Sequence, residues 1–598
     1  MASSAQTQAN TDGDSSHSKD EDPTIVLGID FGTTWDSAKY HCSDKEKTPS
    51  IVSYEENGKI LWGYSVADKK LSIEWVKLCL LQGDDIPKDA RHSTQLQAAQ
   101  AALKQQKKSV VEVISDYLRQ LWKHSIINIR RAIGGQLVDL CRFKVVATIP
   151  AIWPIYAQIR MHEAIEKAGI LSTRDAGQTT LEFLPEPEAA ALATLSSISM
   201  YNQANMEVGD HFVVCDAGGG TVDIITYTVV ELSPMKVKES VKGDGKLCGA
   251  TFLDERFLQI LRGKLDQVSP DTWKTLEETG VLERIINNDW ENGIKPQFRN
   301  TDQHWMIQIP VKGPKRTHDE FRLSDIKLDV KDVQKIFKPI VSEIKHLVDN
   351  QVKAIKEKYN KEPKFVVLAG GFGRQPFLFT EMQDALNHRN GLVGKVEVLQ
   401  SQGAEPWTAV CRGAVIRGLE LSDDTGGPTV QSRISRLSYG IIHNLPWDAK
   451  KHNIRDKYWN DLRQIFEAKD QTSWFVSIGE TIPVGKYVTQ GLCTDLKCPV
   501  NWLSTRLIYS TSSTPSKRCD ETVKELYKLR WSTVPDFYSL PTWINAKGQT
   551  IRRISFDTKM ISNGVTLDFD IVYKGQVVAS KNIGIDYGHC GALAGSYS

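Results

Sequence analysis

The sequence predicts an α/β chain followed by a strand-rich C-terminal part, and three observations carry that prediction. A glycine-rich turn follows an apolar strand at three places, in TIVLGIDFGTTWDSAKY (24–40), FVVCDAGGGTVDIITY (212–227) and FVVLAGGFGRQP (365–376). Between these turns, apolar residues at helical spacing (Val110, Val113, Ile114, Tyr117, Leu118, Leu121) alternate with buried strands such as FKVVATI (143–149), the order that a sheet with covered faces requires. From about residue 423 the rhythm changes, and Val565, Leu567, Phe569 and Ile571 are interleaved with Thr566, Asp568 and Asp570, as in a strand with one wet face.

Taken in order, residues 1–22 are small, polar and acidic and are expected to form a flexible tail. Order is expected from Thr24. Residues 153–168 read as a helix, and LEFLPEPEAAALAT (181–194) as a short strand, a proline turn and an alanine-rich helix. A polar, helix-rich insertion is expected over about 245–325, then a long amphipathic helix over 333–355. SDDTGGPTVQ (422–431) has the composition of a linker. Beyond it, strands and a hairpin turn at Lys574-Gly575 point to an antiparallel β-sandwich with one helical interruption near 522–529. The expected units are a tail (1–23), two α/β units (24–210 and 211–421), a linker (422–436) and the β-rich part (437–598).

Composition narrows the function classes. A chain of 598 residues exceeds one core, and ordinary domain size implies three or four units. Lys and Arg number 74 against 73 Asp and Glu, a balance that argues against nucleic acid or an anionic membrane as partner. The ten cysteines are scattered, several inside apolar strands (Cys141, Cys215 and Cys411), which suits reduced thiols better than a disulfide framework. Cys493 and Cys498 lack a second pair at zinc spacing. No apolar run reaches the length of a membrane span, and no signal-peptide pattern opens the chain. The expected location is cytosolic, with the nucleus as the alternative, and a monomer is expected.

The middle glycine turn carries the chemistry. Gly218, Gly219 and Gly220 allow positive φ and let a ligand approach backbone N–H groups closely, the geometry that holds an anion. Asp216 and Asp223 bracket them, and two carboxylates beside a phosphate clamp suit a hard cation such as Mg²⁺. Tight hairpins use the same residues, so the turn alone leaves both readings open. The first turn repeats the device with Asp30, Gly32, Thr33 and Thr34.

IDFGTTW, TIPAIWP, LPEPEAAALA, DAGGGTVD and AGGFGRQP, in this order, resemble the ATPase domain of the heat-shock protein 70 (DnaK-type) chaperones, within the actin and sugar-kinase ATPase superfamily. The resemblance covers roughly 24–420. It implies a two-lobed actin-like fold of duplicated ribonuclease-H-like domains, with ATP or ADP and Mg²⁺ bound between the lobes. By position, it assigns Gly32, Thr33, Thr34 and Trp35 to the first phosphate hairpin and Asp30, with Asp216, to Mg²⁺ through water. Lys77 in EWVKLCL would place the attacking water, and Glu186 matches the connecting-motif glutamate. Asp216, Gly218–Gly220, Thr221 and Asp223 match the second phosphate hairpin, while Gly370, Gly371 and Arg374 match the adenosine motif. Glu291 and Lys295 in WENGIKPQF match the helix that closes on ribose and adenine. The residues supply geometry and charge for phosphoryl transfer to water, and Arg374 has a planar guanidinium able to stack on a base. Read without the resemblance, Lys77 is equally a surface lysine, and Glu186 a glutamate favoured by a helix N-terminus.

The departures from the family pattern are specific. Trp35 stands where the family commonly has tyrosine, and Trp407 in AEPWTAVCRGAV replaces an acidic residue. SDDTGGPTVQ offers no apolar strand to dock against the ATPase part. LSYG (437–440) and WFVSIGETIPVGKYVTQ resemble the start of the family's substrate-binding β-sandwich, and only a short tail ending GSYS stands where a helical lid would follow. The resemblance implies a lidless, slowly hydrolysing chaperone-like ATPase with unfolded peptide or protein clients and co-chaperones as partners. A small-molecule kinase of the same superfamily, or a non-hydrolysing nucleotide-dependent scaffold, are the alternatives.

Overall fold

The computed structural model describes residues 23–32, 35–38, 47–66, 72–86, 91, 93–151, 153–201, 206–268, 272–312, 321–387, 396–400, 405–420, 428–531, 534–562 and 566–583. It is a mixed α/β chain of several sheets. The expected tail, Thr33, Thr34 and the end of the chain from 584 lie outside the described residues, as do the side chains of Trp35 and Trp407.

The first large sheet contains β1 (Thr24–Asp30), β2 (Trp35–Ala38), β3 (Thr48–Pro49), β4 (Arg142–Ile149) and β5 (Thr180–Pro185), in the order β3-β2-β1-β4-β5. β1 runs parallel to β4 and antiparallel to β2. Helix α1 (Glu186–Tyr201) starts directly at the end of β5. A second, seven-stranded sheet holds β6 (His211–Ala217), β7 (Val222–Leu232), β8 (Met235–Lys246), β9 (Phe365–Ala369), β10 (Glu397–Gln400) and β11 (Thr429–Ile434). Its order is β10-β9-β6-β7-β8-β11, and the strand Thr481–Pro483 completes it beyond β11. The layout around β1 recurs around β6, which is parallel to β9 and antiparallel to β7. Each of these central strands is nearly wholly buried and carries an aspartate at or beside its end.

Helix α3 (Val330–Tyr359) packs on the second sheet and α2 (Thr251–Val268) packs on α3, while α4 (Glu405–Glu420) packs on α1, β1 and β4. The Asp329 carboxylate caps α3 by accepting from the amide of Asp332, and the buried stripe Val333, Ile336, Phe337, Ile340, Val341, Ile344 repeats at helical spacing. The last part of the expected helical insertion is instead a β-hairpin, His304–Lys312 against Phe321–Asp329.

The C-terminal part contains two further sheets whose strands pair antiparallel. Ile441, Leu507 and Trp531 of one and Ile554, Phe569 and Ile571 of the other belong to a single apolar cluster. The expected turn at Lys574-Gly575 joins Leu567–Tyr573 to Gln576–Ile583, with both residues at positive φ, 46° and 81°, as a type I′ hairpin demands.

Three expectations are corrected here. The helical interruption near 522–529 is a strand, Val523–Trp531. Its register slips between Leu507 and Ile508, leaving Leu526 bulged, so the buried residues Val523, Leu526 and Leu529 fall three apart and imitate a helix face. The linker expected over 422–436 ends in a strand: β11 pairs parallel with β8, Lys236 opposite Thr429 and Val237 opposite Val430. Val430 and Ile434 are buried, so two apolar residues suffice where the sequence offered no dockable strand. Of the cysteines expected in strands, Cys411 lies on α4 and Cys141 in the bend just before β4.

Candidate functional site

Asp30 ends β1 and Asp216 lies one residue from the end of β6, and ladder pairing sets Asp223 directly opposite Asp216. Residues opposite one another in a ladder project to the same face, where like charges repel. The amide of Ala151, just beyond β4, donates to Asp223 Oδ1 at 3.0 Å. That bond crosses from the first sheet to the second. Lys77 and Glu186 complete the group with a buried ion pair, Nζ to Oε1, 2.5 Å long.

The electrostatics follow from crowding without water. Burial lifts the Asp216 carboxyl well above the usual range, with Glu186, Asp223 and Asp30 adding to the effect. Burial and Glu186 push Asp223 up to about 7, against hydrogen bonds from Thr221 and Ala151. Glu186 is also raised by burial, with Lys77 opposing and Asp30 assisting. Asp30 differs in having a cation of its own, Lys47 Nζ at 3.0 Å, and a long contact of 3.4 Å from Thr148 Oγ1.

The glycine hairpin is held from behind. The amides of Gly249, Ala250 and Thr251 donate to the carbonyls of Gly220, Gly218 and Gly219, and Thr251 Oγ1 donates to Gly219 O at 2.8 Å. A Cβ at Gly249 would lie 2.3 Å from Gly219 O, which is why the clamp can close. With its carbonyls engaged, the hairpin leaves the amides of Gly219 and Gly220 without an acceptor among the described residues. Gly370 closes the other side at φ +78°, where a Cβ would meet Asp216 Oδ1 at 2.3 Å.

The structure therefore brings Asp30, Lys77, Glu186, Asp216, Gly218–Gly220, Thr221, Asp223 and Gly370 together. Gly32 is half-buried just beyond β1, and Gly371 has open space where a side chain would be. Glu291 sits in a π-helical segment, Ile285–Ile294, and Lys295 opens the next turn. Lys295 Nζ is engaged by Asp254 Oδ1 at 2.6 Å and Glu291 Oε1 at 2.7 Å, and Asp254 is pushed up to about 7 by burial despite that lysine. Arg374 caps the short helix Gly370–Gly373. The adjacent Gln375 donates to Phe298 O at 2.9 Å, tying this motif to the Lys295 segment.

A divalent cation and a phosphate fit this donor set. Asp223 Oδ2 is buried without a partner among the described residues, the carboxylates outnumber the two lysines, and all the oxygens are hard donors. Among the described residues, no three acidic, histidine or cysteine side chains converge at direct metal-ligating geometry.

Sequence reading missed several participants. Lys47 and Thr251 belong to no motif in the sequence. Glu188, two residues after Glu186, forms a buried bidentate pair with Arg433 of β11, with Nε at 2.7 Å from Oε2. The neighbouring Arg436 meets Glu239, which also accepts from the amide of Ile434. PEPE displays both glutamates, but nothing local announces their partners.

Comparison with known proteins places the chain. Residues 433–580 match a family described as "Domain of unknown function (DUF8568)". The chain is 22% identical to human heat shock 70 kDa protein 12A over 578 residues, 79% of this chain and 80% of that protein. The mouse protein of the same name is 22% identical over 77% of this chain and 78% of its own length. Human heat shock 70 kDa protein 12B is 25% identical over 40% of this chain and 44% of its own. Sheets, acid cluster and glycine hairpin define a mixed α/β protein with a buried acidic centre. The chain is a divergent, heat-shock-70-like protein.

Proposed function

We propose that this chain binds ATP or ADP with Mg²⁺ between its two large sheets and hydrolyses ATP slowly, as a chaperone-like protein of the heat-shock 70 type. The observation that carries the reading is the convergence of Asp30, Glu186, Asp216 and Asp223 on one buried cluster beside a glycine hairpin whose amides face no acceptor among the described residues. On this reading the two sheets are the lobes of an actin-like fold, with units at 24–210 and 211–421. The paired C-terminal sheets form a β-sandwich for peptide or protein clients, served by co-chaperones.

Each residue has a physical task. The Gly219 and Gly220 amides would hold phosphate oxygens, and Thr251 keeps their hairpin rigid. Asp30 and Asp216 would hold Mg²⁺ through water. The bound cation would neutralise charge on the phosphates. Lys77, fixed by Glu186, would orient the attacking water, and Asp223, held near neutrality, is suited to accept its proton. Gly370, Gly371 and Arg374 would face the adenosine, and Glu291 and Lys295 the ribose and adenine.

The test is thermal unfolding with Mg²⁺ and nucleotide. At about a hundredfold over its Kd a ligand adds roughly 2.7 kcal/mol, and Asp216→Asn is expected to lose that gain together with phosphate release. No shift with any nucleotide overturns the reading. Phosphate release that depends on an added sugar or carboxylate marks a small-molecule kinase, and binding without release marks a scaffold. No described helix is long and apolar enough to cross a membrane.

A further inference from the structure

Trp75 has a backbone that its residue type disfavours. It sits at φ +59°, in the left-handed region, and is only 4% exposed. An aromatic side chain persists there only when its surroundings over-determine it, and such outliers concentrate at functional sites. Two residues on is Lys77, and the Trp75 carbonyl accepts from the amide of Leu78 at 3.1 Å, opening the tight turn that carries Lys77. The turn is then locked by burial of Val76, Leu78 and Leu80.

The Trp75 ring reaches the other side of the site. It meets Phe252 edge-on, with centroids 6.3 Å apart and planes at 72°. Phe252 directly follows Gly249, Ala250 and Thr251, the residues whose amides hold the carbonyls of the phosphate hairpin. A second link runs in parallel from Ser93, whose hydroxyl donates to Glu255 one helical turn further along α2. Lys77 itself lies 5.6 Å from the centroid of Trp153 and pairs with Glu186.

We propose that Trp75 is a positioning residue for the hydrolytic reaction. Its left-handed turn aims Lys77, and its ring registers that lysine against the hairpin through Phe252, so that lysine and phosphate clamp move as one body. The inference rests on the ATPase reading above for its catalytic consequence, though not for its geometry. Misplacing a group by about 1 Å costs on the order of a hundredfold in rate. A merely structural tryptophan would lower stability and leave the placement of Lys77 unchanged.

The experiment compares full-length wild type with Trp75→Ala, Trp75→Phe and Phe252→Leu in two measurements. The first is the extent of acylation at Lys77 by a water-soluble amine reagent without nucleotide, read by mass spectrometry. The second is steady-state phosphate release from Mg²⁺-ATP. Trp75→Ala is expected to expose Lys77 to labelling and to lower kcat by about tenfold to a hundredfold while KM changes little. Trp75→Phe is expected to restore protection and most of kcat, and Phe252→Leu to fall between. If Trp75→Ala does not fold, the Trp75→Phe and Phe252→Leu pair carries the test. Lys77 protected equally in every folded variant, with kcat unchanged, overturns the inference. A wild type that neither binds nor hydrolyses ATP removes the ATPase reading instead, and the labelling measurement then decides the geometric claim alone.

Discussion

Asp30 and Asp216 occupy matching places in two sheets of matching layout, yet their surroundings differ. Asp30 has Lys47 at 3.0 Å. Asp216 has no ion pair of that kind among the described residues, and burial together with Glu186, Asp223 and Asp30 lifts it well above the ordinary carboxylate range. The first aspartate is paired within the fold, whereas the second feels Lys47 only as a minor opposing influence. A strand that ends in aspartate before glycine thus specifies where a carboxylate stands and leaves its charge to the rest of the chain.

The contrast can be broken most severely at Lys47. Lys47→Ala strips Asp30 of its counterion and makes the two sites alike. Removing one partner of a largely buried pair costs roughly 3–5 kcal/mol, so chemical denaturation of the nucleotide-free protein should show a loss of that order. Asp216→Asn works in the opposite direction. It should make the nucleotide-free protein more stable by removing a poorly solvated carboxylate, while cancelling a Mg²⁺-nucleotide gain of about 2.7 kcal/mol at a hundredfold over Kd, both read by thermal unfolding.

Smaller per pH unit is the dependence on pH. Asp223, at about 7 when folded, and Asp216, raised well above its ordinary value, bind more protons in the folded than in the unfolded state. Stability of the nucleotide-free protein should therefore fall as pH rises from about 4 towards 7, by roughly 1.4 kcal/mol per pH unit for each such group. Mg²⁺ with nucleotide should flatten that slope. A flat profile without ligand would show that the acids already have a counter-charge. The smallest effect is expected at Thr251→Val, which removes the hydroxyl donated to Gly219 O. A loss of about 1 kcal/mol with weakened nucleotide binding is expected from calorimetry.

How far the sequence could be read depended on whether the deciding contact was local. The strand starting at Thr24, the helix over 330–359 and the Lys574-Gly575 hairpin were visible because periodicity and turn chemistry act over a few neighbours. The strand Val523–Trp531 was misread because a bulge, set by its partner strand, gave it a spacing of three. β11 was misread as linker because its ladder with β8 and the Glu188–Arg433 pair come from residues nearly two hundred positions or more away.

The sequence by itself determined the three strand-and-glycine turns, the alternation that builds covered sheets and the acidic residues of the site, since each is a matter of residue type at short range. Only the tertiary structure decided which acid received a lysine, which carbonyls the start of α2 would clamp, and that Trp75 would be held left-handed against Phe252. These depend on groups far apart in the chain meeting where water is excluded. There, a charge or a strained turn persists only if distant partners compensate for it.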